Sequence, residues 1–297
     1  MKSQASIRTG TAPARKWLAA RNDLKGLRAM TTRHGATLLA RLGFAARGIV
    51  YCLVGWFAVD AALRGGKVGD NQGAIASLAD EPFGEWILAA MAAGLAGYAL
   101  WRLAEAITDP EAQGTTAKGA FKRAGHAISG IAHVVLAWTA AKLAVHASDA
   151  GGRVGSEEST HDWTAWLLDQ PMGRVLVALV AAGLLGAALQ QAKKAWDGSF
   201  ARELGRDTPV PGHVCTIGRI GYGARGLVFA LIALFFVTAA WAADADEAGG
   251  MAHALATLQG QTGGRWLLTA TGLGFVAFGI YSFVEARWRR ISVDLPA

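Results

Sequence analysis

Six apolar stretches, at about 43–63, 84–104, 124–147, 173–192, 220–243 and 264–284, constrain this 297-residue chain more than any other feature. A helix that crosses the hydrocarbon core of a bilayer needs roughly 17 to 25 mostly apolar residues. The first, fifth and sixth stretches meet that length easily. The fourth is the weakest, because its unbroken core, Val175 to Leu189, is short. Only 17% of the residues are charged and 53% are hydrophobic, whereas a soluble domain carries about a quarter charged residues. A soluble helical bundle would also show a polar stripe along each helix, and "VYCLVGWFAV" and "LVFALIALFFVTAAW" have none. The expected fold class is therefore all-α integral membrane, with six transmembrane helices.

The charges orient these spans. Of the 29 Lys and Arg residues, 23 fall in residues 1–47, the second and fourth loops and the C-terminal tail. The first, third and fifth loops hold Arg64, Lys67, Arg153, Arg174 and Arg265 among acids such as Asp70, Asp80, Glu81, Glu157, Glu158, Asp244, Asp246 and Glu247. Cytoplasmic loops carry the Lys/Arg excess, so both termini are expected in the cytoplasm. The net charge of +7 is then a topological signal rather than a nucleic-acid footprint, and no nucleic-acid partner is expected. A basic arm precedes the first span, so that span reads as an uncleaved anchor rather than a secretory signal. Cys52 lies mid-span and Cys215 in a loop placed on the reducing side, which implies no disulfide framework.

The chain also repeats itself. When Arg41, Arg123 and Arg219 are superposed, Gly43, Gly125 and Gly221 coincide, as do Gly48, Gly130 and Gly226; the position between them is Phe44, His126 or Tyr222. The second helix of each copy opens at Gly84, Gly173 or Gly264 and carries Gly94, Gly183 or Gly274 ten residues later. The organisation is a basic arm over 1–40 and three tandem two-helix hairpins over 41–110, 123–197 and 219–290. All three share one orientation, so their pseudosymmetry axis runs along the membrane normal. Gly43, Gly48, Gly94, Gly97, Gly183, Gly186, Gly221, Gly226 and Gly274 are expected to be packing sites, because helices in lipid associate through close contact at small residues.

Arg47 and Arg225 lie inside the apolar runs, at a position that is Ser129 in the middle copy. Near the end of each second helix stand Glu105, Lys194 and Glu285. A charge at the bilayer edge is costly unless it pairs or snorkels. Because Arg and Glu are lost together in the middle copy, structural ion pairs Arg47–Glu105 and Arg225–Glu285 are expected within hairpins. Pairing across units is the open alternative, and snorkelling to the headgroups the plainer one.

The catalytic signatures G-x-S-x-G and H-E-x-x-H, the P-loop and C-x-x-C are missing. His126, Ser129 and His133 on the third span form a candidate intramembrane polar site. No other span offers a histidine at the depth of His133 to share a haem, and neither a cofactor nor a metal is expected. The arm interleaves Trp17, Leu18, Leu24 and Leu27 with Arg15, Lys16, Arg21, Lys25 and Arg28, a pattern suited to anionic lipid; Met30 offers an alternative start. "RLGFAARGIVYCLVGWFA", "QPMGRVLVALVAAGLLG" and "AFGIYSFVEARWRRI" resemble the bacterial membrane proteins of the domain of unknown function 1206 family, over roughly residues 40 to 291. That resemblance implies a multi-pass protein of three tandem two-helix domains and no activity. Two function classes follow: a structural or partner-binding component of the cell envelope, with the bilayer and an unidentified membrane or envelope protein as partners, or a small-solute or ion conduit. Reporter fusions after Arg64, Gly152 and Gly250 should all report the outside; a cytoplasmic signal at any one breaks the three-hairpin topology.

Overall fold

A computed structural model describes residues 12–66, 68–79, 81–108, 116–145, 156–205 and 210–290. The described residues form nine α-helices and two short 3₁₀ turns, with no strand beyond one isolated bridge. Helix α1 (Ala12–Arg64) runs unbroken from the arm into the first span; residues 1–11 and the side chains of residues 12–34, with the arm's basic and apolar pattern, lie outside the described set. The other long helices are α3 (Gly84–Thr108), α4 (Ala117–Val145), α6 (Gly173–Asp197), α7 (Gly212–Ala242) and α9 (Gly264–Trp288). With the Thr37–Arg64 part of α1, these make six helices long and apolar enough to cross a membrane. The fourth run, short of apolar residues in sequence, is a full 25-residue helix. Cys215, assigned to a loop from sequence, stands inside α7, which begins at Gly212.

Three short helices, α2 (Asn71–Ala76), α5 (Ser156–Leu168) and α8 (Met251–Gly260), lie before the second span of each unit. They mark the hairpin end of the bundle; the start of the first span at Thr37 and the end of α9 at Trp288 lie at the opposite end, called the terminal end below. Exposed tryptophans stand near both ends, Trp86, Trp241 and Trp266 at the hairpin end and Trp196 at the terminal end, the positions favoured by amphipathic rings at a membrane interface.

Each second span begins with the same device. Phe83, Met172 and Gly263 occupy one aligned position and all are left-handed, with φ of 63°, 63° and 77°. The next residue is Gly84, Gly173 or Gly264, where a Cβ would fall 2.1 Å from Leu78 O, 2.2 Å from Leu168 O or 2.1 Å from Gln259 O. The turn folds the preceding helix so tightly over the start of the span that no side chain fits, which explains why three glycines coincide in the repeat.

The spans pack in an order the hairpins do not suggest. α3 packs on α4, α6 on α7 and α9 on α1, so the second helix of each unit meets the first helix of the next, and the third unit returns to the first. The same contact recurs at all three interfaces. A Cβ on Gly48 would lie 2.9 Å from Gly279 O, on Gly130 3.3 Å from Ala99 O, and on Gly226 3.4 Å from Ala188 O, three aligned carbonyls. Within units, α1 packs on α3 and α7 on α9, while α4 and α6 scarcely meet. The result is an open ring in the order α4, α3, α1, α9, α7, α6. Its core runs from Val54, Leu88, Phe236 and Leu268 toward the hairpin end to Phe200, Tyr222, Phe278 and Tyr281 toward the terminal end.

Gly84→Ala, Gly173→Ala and Gly264→Ala should each lower stability by on the order of 2–4 kcal/mol, because a backbone carbonyl blocks the new methyl. Gly260→Ala, which meets nothing within 4 Å, should shift it by under about 1 kcal/mol. Thermal unfolding in detergent measures both, and equal effects at the two kinds of site would contradict the turn geometry.

Candidate functional site

The polar residues of the spans converge near the terminal end. Arg47 is 5% exposed and its guanidinium is fully engaged: Nε donates to Ser282 Oγ at 3.2 Å, Nη1 to Tyr98 Oη at 2.7 Å, and Nη2 to Glu285 Oε2. Glu285 is completely buried and accepts a second bond from Arg289. The partner of Arg47 is therefore Glu285 of the third unit and not Glu105 of its own hairpin. The reason is the ring: residue 47 of α1 faces α9, across the interface between units, where Gly48 lets the backbones approach. Glu105 is taken by Arg102 one turn earlier, at 2.8 Å, with His126 Nδ1 at 3.7 Å.

The cyclic offset explains the arginine pattern. Across the α3–α4 interface Glu105 corresponds to Ser129, across α6–α7 Lys194 corresponds to Arg225, and only across α9–α1 does a glutamate meet an arginine. Arg225 does not pair with Glu285. Its guanidinium lies 4.4 Å from the centre of the Phe278 ring and 5.2 Å from those of Tyr51 and Phe229. Aromatic faces attract a guanidinium, and the rings hold the charge in place of a carboxylate.

Sequence reading missed Glu203 and Arg289, because their positions depend on a loop. After α6 the chain makes a 3₁₀ turn over Ser199–Glu203 and runs against the end of α9, with Gly205 N donating to Trp288 O at 2.7 Å and Arg290 N to Glu203 O at 3.0 Å. Phe200 is fully buried between Tyr222 and Tyr281, and Gly218 leaves room for its ring. This anchor places Glu203 between Arg289 and Lys194. Burial works to raise the Glu203 carboxyl, but the Arg289 and Lys194 cations outweigh it and hold the group down at about 2.

His126 and His133 turn toward α3 and the same cluster. His133 Nδ1 donates to Ser129 O at 2.7 Å, and its ring lies 4.5 Å from that of Tyr98. In the repeat His126 and His133 replace the aromatics Phe44 and Tyr51, so the middle unit exchanges ring packing for polarity on the face turned to the cluster. No group of three or more His, Cys, Asp or Glu among the described residues is placed to hold a metal.

The packing glycines divide by unit. A Cβ on Gly43 would meet Tyr98 Cβ at 2.4 Å, and one on Gly221 the aligned Phe278 Cα at 2.6 Å. Gly94 meets Leu42 and Ala46, Gly97 meets Leu39, and Gly274 meets Ala224. In the middle unit Gly125 and Gly183 meet nothing within 4 Å, and Gly186 is half-buried. The sequence does carry a signal for this. Ala46 and Ala224 are the residues that press on Gly94 and Gly274, and the aligned residue is Ile128, which is 67% exposed where Ala46 is 4%. A branched side chain at that position stands in the way of the close approach. The middle hairpin is consequently splayed, leaving a seam between α4 and α6.

A chain of three tandem hairpins built in this way is a multi-pass membrane protein. It belongs to the family described as Domain of Unknown Function (DUF1206), whose model matches residues 42–109, 124–198 and 220–289. It is similar to the uncharacterized protein YxxB of Bacillus subtilis (strain 168), 31% identical over 255 residues that cover 85% of this chain and 90% of the relative. No solved structure matches.

Removing either partner of the Arg47–Glu285 bridge strands a buried charge, a loss of about 3–5 kcal/mol for a buried pair. Arg47→Ala and Glu285→Ala should each destabilise the detergent-solubilised protein strongly, and together less than their sum. Arg47→Ala and Glu105→Ala, linked only through Tyr98 and Arg102, should couple much more weakly. Coupling to Glu105 instead of Glu285, measured in thermal double-mutant cycles, would reverse the assignment.

Proposed function

We propose that this protein is a partner-binding component of the bacterial cell envelope, held in the inner membrane with both termini cytoplasmic, and that it receives its partner through the seam of the middle unit. One observation carries the reading: the glycines that close the first and third hairpins are present in the middle one and close on nothing. Small residues that expose backbone at a helix surface are ready-made contact points in a medium where packing, and not water, drives association. The first and third units form the body, and α4 and α6 stand apart on either side of the entrance.

Passage of a solute is less well supported. Of the buried charged residues described, Arg47, Glu105, Glu285 and Arg289 lie toward the terminal end and Asp70 alone toward the hairpin end, where Val54, Leu88, Leu268 and Phe275 fill the interior. A site accessible from one side and from the lipid suits binding better than conduction. The basic arm over 1–40 adds a cytoplasmic attraction for anionic lipid.

Gly94→Leu and Gly274→Leu should abolish stable folding, whereas Gly125→Leu and Gly183→Leu should leave the thermal midpoint within a few degrees of the wild type, about 1 kcal/mol or less. Mass spectrometry of the intact protein released from its own membranes should then show a stoichiometric bound molecule that the folded Gly125→Leu/Gly183→Leu variant lacks. Severe destabilisation at Gly125 and Gly183, or an identical bound complement in wild type and variant, would end this reading.

A further inference from the structure

The three interfaces of the ring are built alike, and one lacks a charge. Where Glu285 serves Arg47 across α9–α1, the aligned residue facing Arg225 across α6–α7 is Lys194. Lys194 turns to Glu203, at 3.0 Å, and gives nothing to Arg225. Arg225 makes no ion pair among the described residues, and its Nε is buried with no acceptor. The aromatic rings around it attract the positive charge but accept none of its N–H bonds in the plane of the guanidinium.

Among the described residues, the surroundings do not supply the missing carboxylate. Five cations, Arg47, Arg102, Lys194, Arg225 and Arg289, share this region with three carboxylates, Glu105, Glu203 and Glu285. A cationic surplus at low dielectric calls for an anion. The Phe278 ring links the centre of the cluster to its uncompensated part, with Arg47 at 5.1 Å and Arg225 at 4.4 Å. His133, on the α4 side of the seam, lies 4.5 Å from the ring of Tyr98, whose hydroxyl accepts from Arg47. Gly226, next to Arg225, abuts Ala188, Gln191 and Ala192 of α6, the other side of the seam. Arg225 is half-buried against Tyr51 of α1 and Phe278 of α9, on the inner side of the ring that α4 and α6 leave open.

We propose that the seam admits an anionic phospholipid, with its phosphate on Arg225, in the place that Glu285 holds in the sister interface, and its acyl chains against α4 and α6. The inference rests on the binding reading given above and adds the chemistry of the partner. An occupant must be apolar along most of its length and anionic at one end, and the bilayer holds such molecules at high local concentration. A guanidinium fork matches a phosphate with two parallel N–H bonds, and the surplus of cations around it repels the choline that a zwitterionic headgroup adds to the same phosphate.

Delipidated protein in detergent is titrated with phosphatidylglycerol and with phosphatidylcholine of identical chains and read by native mass spectrometry. The wild type should retain the anionic lipid about tenfold better, the scale of one charge-assisted contact. Arg225→Gln should bring the two lipids level, and Arg225→Lys should keep part of the preference. Inorganic phosphate at millimolar concentration should displace neither lipid. Equal retention of the two lipids by the wild type, an undiminished preference in Arg225→Gln, or displacement by phosphate would overturn the anionic-lipid proposal and leave binding at the seam standing. Retention of neither lipid, with a protein helix captured in their place, would overturn the lipid proposal alone; retention of nothing at all would remove both readings. If Arg225→Gln fails to fold, a phosphatidylglycerol with a photoreactive headgroup decides on the wild type. Label on the facing segments of α6 and α7 supports the proposal, and label elsewhere refutes it.

Discussion

Everything in this bundle depends on close backbone contact between the second helix of one unit and the first helix of the next. In lipid, burying apolar surface gains little, because the surroundings are as apolar as the interface. Association must come from dispersion and short-range polar contact, and both need helices that come near enough. Gly48, Gly130 and Gly226 permit that approach at three equivalent places. Their repetition converts three copies of a hairpin into a ring, because the contact links units and not the helices within a unit. The α9–α1 contact, where Gly55 and Gly272 add a second crossing to that of Gly48 and Gly279, returns the third unit to the first.

The charged groups are placed by this packing. Arg47 can stand 5% exposed because Tyr98, Ser282 and Glu285 reach it from two neighbouring helices. The same position in the other units has drifted: Ser129 abandons the charge, and Arg225 keeps it against rings alone. Triplication supplies three starting sites, and divergence leaves one satisfied ion pair, one site shared by Glu105, Arg102 and His126, and one arginine that meets no anion among the described residues. The loop after α6 adds the last element by carrying Glu203 beneath α9, so that Arg289 and Lys194 are held by a carboxylate from outside the repeats.

The middle unit differs in every respect that matters for binding. It has histidines where the others have aromatics, lysine where they have glutamate, and isoleucine where they have the alanine that touches glycine. Each change loosens the hairpin or raises its polarity. Gly125 and Gly183 remain where the repeat puts them, but the contact they make elsewhere is absent. A unit that no longer closes on itself is free to close on something else.

Much of this was legible from the sequence. The number of spans follows from apolar length, because the bilayer fixes the length of a helix. The three units follow from coincident glycines, and the left-handed turn before Gly84, Gly173 and Gly264 fixes those residues by steric exclusion wherever the fold places them. The basic and acidic loops separate the two ends of the bundle. The choice of neighbour was not legible: a linear repeat shows that Arg47 and Glu285 occupy equivalent sites, but whether a first helix meets its own second helix or that of the preceding unit is settled by helix packing in three dimensions. Reading the co-occurrence of Arg and Glu within hairpins gave the wrong partner for Arg47. Only the ring joins residues 235 to 238 positions apart, as in Arg47 with Ser282 and Glu285, and only the ring shows that Ile128 holds the middle hairpin open.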